Sequence, residues 1–155
     1  MAATGINHVS VVTRDLDESE RFYNEIFEAE RIASPNFGIP VRWLRIGFVQ
    51  LHLVRAPASG DTGLAHFGVT VDDLAPVYET ARALDALDPA VNAHHLWELP
   101  DGTIQLYLRD PSGNLVEVNA PDASTLSDEM REDVRVLRDL LPQSHDNLRA
   151  RLLTH

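Results

Sequence analysis

Histidine opens two runs of β-forming residues in this chain, and a glutamate sits inside a third. The runs are "INHVSVVT" at His8, "LAHFGVTV" at His66 and "NLVEVN" at Glu117. Gln50 and His52 stand in a similar run, "VQLHLV", and Tyr107 in "IQLYLR". Composition narrows what such groups can do. All 13 basic residues are arginine, and there is no lysine and no cysteine. That excludes a Schiff-base lysine, a thiol nucleophile, a Cys-ligated zinc or iron–sulfur cluster and a Walker lysine. Chemistry is left to His, Asp/Glu, Tyr, Ser/Thr and any metal they hold. A carboxylate within a strand also needs a reason, because burying it unpaired is costly.

Alternation along the strands says which side chains share a face. Over 6–13, Val9 and Val11 oppose His8 and Ser10; over 64–71, Phe67, Val69 and Val71 oppose His66, Gly68 and Thr70. Over 49–54, Leu51 and Leu53 oppose Gln50 and His52. Over 103–109, Ile104, Leu106 and Leu108 oppose Gln105, Tyr107 and Arg109, and over 114–119, Val116 and Val118 oppose Glu117 and Asn119. Each strand thus has one apolar face that a helix can cover. The other face is simply wet if the sheet is flat, and becomes a polar-walled cavity if the sheet curls.

The elements that position these groups are duplicated. "INHVSVVTRDLDESERFYNEIFEA" and "LAHFGVTVDDLAPVYETARALDAL" superpose with His8 on His66 and Asp15-Leu16 on Asp73-Leu74. Both aspartates stand where a helix N-cap belongs, Glu18 completes capping-box spacing with Asp15, and Pro76 fits a first helical turn. Further strands are expected at 29–33, 41–46 and 49–54, then at 92–98, 103–109 and 114–119, with turns at "PDG" and "DPSG". Both halves read β-α-β-β-β, joined by the loop "APASGDTG" at 56–63. After Pro121, Leu126, Met130, Val134, Leu137 and Leu141 form a stripe at helical spacing that Pro142 ends, and a shorter helix is expected from a Ser144 cap to Leu153.

At 155 residues, 44% hydrophobic and 24% charged, the chain reads as one ordinary globular domain. A formal net charge of −11 argues against nucleic acid or an anionic membrane surface as partner. There is no bilayer-length apolar run and no signal-peptide pattern, so a cytoplasmic location is expected.

With His opening both repeats and "DPSGNLVEV" closing the second, the chain resembles the vicinal oxygen chelate superfamily. That group includes glyoxalase I, methylmalonyl-CoA epimerase, fosfomycin-resistance enzymes, bleomycin-binding proteins and extradiol dioxygenases. The resemblance covers about residues 5–121 and implies a domain at 1–121, with repeats 5–55 and 64–121, leaving 122–155 as a C-terminal helical extension. It implies an α+β fold in which two βαβββ repeats form a curled eight-stranded mixed sheet, and a homodimer. It implies metal ligands at His8, His66 and Glu117, which the alternation count places on one face, with Gln50 at the position of a fourth. Two imidazoles and a carboxylate with open positions suit Fe(II), or Mn, Ni, Co or Zn.

The chemistry the resemblance implies turns on two further residues. Tyr107, ten positions before Glu117, matches the extradiol ending; His52, fourteen before His66, falls near the acid/base histidine of those enzymes. The leading expectation is an extradiol-type dioxygenase of a small catechol-like molecule, with His52, Tyr107 and Glu117 taking part in catalysis. One departure stands out: the further histidine of that signature is replaced by Glu98, Leu99 or Pro100. The alternatives are a glyoxalase I- or epimerase-type lyase/isomerase in which Glu117 shuttles the proton, and a protein that binds a drug or metabolite without turnover. Arg42 and Arg109 are candidate contacts for an anionic substrate group.

Overall fold

The five runs of period-two alternation all become strands. The computed structural model describes residues 8–36, 38–57, 64–145, 147–150 and 152. The first repeat runs β1 (His8–Thr13), α1 (Leu16–Phe27), β2 (Glu30–Ile32), β3 (Val41–Ile46) and β4 (Val49–Arg55). The second runs β5 (His66–Thr70), α2 (Ala75–Ala83), β6 (Leu96–Glu98), β7 (Ile104–Arg109) and β8 (Leu115–Ala120). Residues 6–7 of the first expected strand and 58–63 of the joining loop lie outside the described residues.

Each repeat builds a mixed sheet. The first has the order β1-β4-β3-β2, with β1 and β4 parallel; the second has the order β5-β8-β7-β6, with β5 and β8 parallel. The chain divides into two compact units, 1–65 with 110–114 and 66–109 with 115–155.

In the first unit, α1 lays Phe22, Tyr23 and Ile26 into a core that includes Leu44, Leu51 and Leu53. Asp15 caps α1 by accepting from the amides of Asp17 (2.8 Å) and Glu18 (3.0 Å), which holds its carboxyl below the usual range. The same unit holds the turn Asp110–Asn114 through a buried polar network. Asp110 Oδ1 accepts from the amides of Ser112 and Asn114, and Oδ2 accepts from the Tyr23 hydroxyl (2.9 Å) and Asn114 Nδ2 (2.7 Å). Asn114 Nδ2 also donates to the Val12 carbonyl. Gly113, at φ +89°, supplies the left-handed residue that the turn needs.

In the second unit, Val77, Tyr78 and Ala81 of α2 are buried, as are Val69, Leu106, Leu108, Val116 and Val118 of the strands. The N-cap of α2 is Leu74 rather than Asp73, although Asp73 Oδ1 still accepts from the Ala75 amide at 3.1 Å.

The C-terminal segment departs from the single long helix that its apolar stripe predicts. It forms α3 (Asp128–Asp133), β9 (Arg135–Val136) and α4 (Leu137–Leu140). Ser127 caps α3, and Met130 is fully buried. Two causes end the helix at Val134. Val134 and Val136 are β-branched and favour extended backbone. The short strand β6 also presents an edge, which β9 joins in parallel with Trp97 opposite Arg135 and Glu98 opposite Val136. Leu137 packs against the cluster of Val91, Trp97, Tyr107 and Leu115. Ser144 does cap a short turn, the 3₁₀ segment Asn147–Arg149, through its hydroxyl and the Asn147 amide. No described helix is long and apolar enough to cross a membrane.

Candidate metal centre

Strand register assigns the donors of each unit. In the first, His8 pairs opposite Gln50 and Ser10 opposite His52 across the parallel β1–β4 ladder. Trp43 of β3 lies opposite His52 on the other side. The three rings stack: Trp43 and His52 centroids are 4.1 Å apart at 5°, and His8 and His52 are 4.4 Å apart at 17°. Burial, and then the neighbouring His8, lower the pKa of His52, so it is neutral near pH 7. Its Nε2 lies 2.9 Å from Gln50 Oε1. That oxygen accepts, so the proton sits on Nε2 and Nδ1 keeps its lone pair.

In the second unit, His66 pairs opposite Leu115 and Gly68 opposite Glu117 across the parallel β5–β8 ladder. Every residue of β8 is buried, including Glu117 at 5% exposure. Its Oε2 lies 3.3 Å from His66 Nε2. Tyr107 is paired opposite Glu117 from β7, and its hydroxyl donates to Gln105 Oε1 at 3.2 Å. Tyr107 is itself buried, in the cluster that Leu137 covers.

Equating the two opening histidines through this register makes position 52 the counterpart of Glu117 and position 50 the counterpart of Leu115. The place equivalent to Glu117 therefore belongs to His52 and not to Gln50, which instead hydrogen-bonds His52. Alternation alone does not reveal this, because it fixes faces and not partners.

Two further residues do not stand out in the sequence. Trp43 walls His52, and only the β3–β4 pairing reveals it. Asn119 shares the face of Glu117 two residues on; its Oδ1 is buried without a hydrogen-bond partner among the described residues, and its Nδ2 sits where a side chain on Gly68 would reach it at 3.3 Å. The two arginines are committed elsewhere. Arg42 pairs with Asp17 (2.8 Å) and Glu20 (2.5 Å) toward α1, and Arg109 Nε lies 2.5 Å from the buried Asp88 carboxylate. Neither guanidinium is an open anion contact.

The donor set fits a divalent cation. Each unit pairs an imidazole at the start of its parallel ladder with a second nitrogen or oxygen donor on the adjoining strand. The carboxylate is deeply buried, an environment in which a bound cation offsets the cost of its charge. A separate group lies at the start of β6: His94, His95 and Asp133 bring donor atoms within 4.8 Å of one another. The expectation that His94 and His95 lie within the sixth strand is corrected, since they precede it.

A model of the Glyoxalase/Bleomycin resistance protein/Dioxygenase superfamily matches residues 5–118. Among solved structures, the fosfomycin resistance protein FosX from Listeria monocytogenes, complexed with Mn(II) and sulfate, matches with a TM-score of 0.63 and 17% identity, over 84% of this chain and 99% of that one. A lactoylglutathione lyase from Agrobacterium tumefaciens matches with a TM-score of 0.57 and 28% identity, over 77% of this chain and 95% of that one. An uncharacterised protein of Bacillus subtilis, YwbC, is 27% identical over 128 residues, 74% of this chain and 96% of its own. With nearly all of both repeats matched and two β-α-β-β-β units in the fold, the chain belongs to the glyoxalase/bleomycin resistance protein/dioxygenase superfamily.

Proposed function

We propose that this protein is a divalent-metal-dependent lyase or isomerase acting on a small molecule with two adjacent oxygens, with His8, His52, His66 and Glu117 as metal donors. The observation that carries the reading is Glu117: a carboxylate at 5% exposure, in a strand buried along its whole length, with an imidazole nitrogen 3.3 Å away. The lactoylglutathione lyase at 28% identity supports the reaction class. When bound, the ion supplies Lewis-acid polarisation of the substrate oxygens.

The chain's own residues do the rest. Glu117 holds and returns the substrate proton at Oε2. Gln50 fixes the His52 ring so that Nδ1 is the lone-pair atom. Asn119 Oδ1 accepts a hydrogen bond from the substrate, which satisfies an otherwise unpaired buried oxygen. Trp43 holds the His52 ring flat from one side.

A second reading, a dioxygenase of a catechol-like compound, is favoured by one observation: Tyr107 is buried directly opposite Glu117. Metal-free protein reloaded separately with Mn(II), Fe(II), Ni(II), Co(II) and Zn(II) distinguishes the two. Metal-dependent turnover of hemithioacetals or of acyl thioesters with an acidic α-carbon supports the lyase or isomerase. Oxygen uptake with catechols, restricted to the Fe(II) form, replaces it with the dioxygenase. A protein that binds none of these ions sinks both.

A further inference from the structure

We propose that His94, His95 and Asp133 form a second divalent-cation site, tetrahedral and zinc-like, that fastens the C-terminal segment to the connector before β6. It uses none of the donors proposed above and stands or falls without them.

The backbone brings two neighbouring imidazoles to one side. Consecutive side chains in extended chain point to opposite faces, yet the His94 and His95 ring centroids are only 4.7 Å apart. The 3₁₀ turn Val91–Ala93 precedes them, and Ala93 takes a left-handed conformation at φ +58° with no glycine to ease it. Such a conformation persists in a non-glycine residue only where its surroundings hold it.

Facing the two rings is Asp133, the last residue of α3. Its Oδ2 lies 2.9 Å from His95 Nε2 and its Oδ1 3.5 Å from His94 Nε2; its carbonyl oxygen is 2.8 Å from His94 Nε2. Zinc–nitrogen and zinc–oxygen bonds of about 2.0–2.2 Å give tetrahedral donor–donor edges of about 3.3–3.6 Å. The two His–Asp133 carboxylate separations, 2.9 and 3.5 Å, lie within about 0.5 Å of those edges, and all three donor atoms lie within 4.8 Å of one another. His94 Nε2–H donates to the Asp133 carbonyl, so ion binding moves that ring's proton to Nδ1, and solvent or the carbonyl oxygen fills the fourth position.

The geometry favours a cation over a plain ion pair. His95 Nε2 is buried and, despite the 2.9 Å approach, makes no aligned hydrogen bond to the carboxylate or to any other described residue. A divalent ion set between the buried imidazole nitrogen and the carboxylate oxygen would use both atoms as donors. Tyr78 stacks on the His95 ring, with centroids 6.1 Å apart at 27°, and so braces that imidazole from outside. The consequence is mechanical: the ion would join residues 39 positions apart and fix the start of β9, and through it Leu137 against Tyr107.

Zn(II) and Co(II) alone are the probes, added to the dialysed full-length chain. A His66→Ala/Glu117→Gln double variant isolates this site. It retains one tightly bound zinc equivalent by elemental analysis, its Co(II) form shows the visible absorption of a tetrahedral ion, and its thermal midpoint rises on adding zinc. Introducing Asp133→Asn or, separately, His95→Ala into that variant removes the equivalent, the absorption and the zinc-dependent shift, with circular dichroism verifying the fold. The proposal is overturned if the double variant binds no zinc, or if neither further substitution lowers its zinc content. A double variant with as much zinc as the wild type, lost on Asp133→Asn, refutes the donors proposed for the reaction and leaves this site standing.

Discussion

Across its parallel strand pair the first repeat sets His8 opposite Gln50 and Ser10 opposite His52; the second sets His66 opposite Leu115 and Gly68 opposite Glu117. The backbone plan is shared and the donor chemistry is not. The first repeat offers two partly exposed imidazoles, one stacked on Trp43 and the other on it in turn; the second offers an exposed imidazole on β5 and, on a strand buried throughout, a carboxylate. The helix side differs in the opposite sense. Thr13, Ser19 and Tyr23 of the first repeat correspond by position to Val71, Val77 and Ala81 of the second. Thr13 and Ser19 hydrogen-bond at 2.6 Å, and Tyr23 reaches Asp110. A duplicated fold has thus kept its paired donor positions while exchanging which side of each sheet carries the buried polar groups.

The largest effect follows from the carboxylate. Glu117→Gln keeps the shape and removes the charge, so metal-dependent turnover should fall by several kcal/mol of barrier, on the order of 10³-fold. Metal content measured beside the rate separates loss of the ion from loss of the proton shuttle. Turnover and metal content equal to the wild type would remove Glu117 from the site and end the analogy with His52.

The next pair sharpens the register. If His52 is the counterpart of Glu117, His52→Ala should lower metal affinity by roughly 100-fold, while Gln50→Ala, which only frees the ring, should cost roughly 10-fold. Isothermal titration of the metal-free variants measures both. The reverse order makes Gln50 the ligand and His52 its support.

Much of this comparison is legible in the amino-acid sequence alone. The expected strand at 41–46 coincides with β3, and period-two alternation puts Glu117 and Tyr107 on one face, where β7 and β8 pair them. The alternating count also separates Val116 and Val118 from Glu117 correctly, because a strand reads its own faces locally. Partners across strands are not local, and so neither Trp43 beside His52 nor the match of position 52 to 117 is readable there. The C-terminal stripe misleads for a related reason. Its helical spacing is real in α3, where Met130 is buried, but the edge of β6 draws residues 135–136 out of the helix. His94, His95 and Asp133 lack ligand spacing altogether, since a bend and a distant helix end bring them together.

The smallest effect tests the polar seam of the first repeat against the apolar one of the second. Tyr23 is fully buried and donates to Asp110, whose carboxylate keeps three other donors without it. Tyr23→Phe should therefore cost about 1.5 kcal/mol at pH 7, the low end for a hydrogen bond to a charged group. Burial first, and the Asp110 charge second, push the Tyr23 pKa well above 10.0. The unfolded chain then loses this proton near pH 10 while the folded chain keeps it, so the wild type is destabilised as pH rises through that range, by about 1.4 kcal/mol per unit. The Phe variant has no such proton and is spared that slope. Urea unfolding of both proteins at pH 7 to 11 should show the wild type's advantage constant up to about pH 9.5 and shrinking above it. An advantage that stays constant to pH 11 would mean that Tyr23 ionises in the fold as readily as in water, which a phenol sealed against Asp110 cannot do.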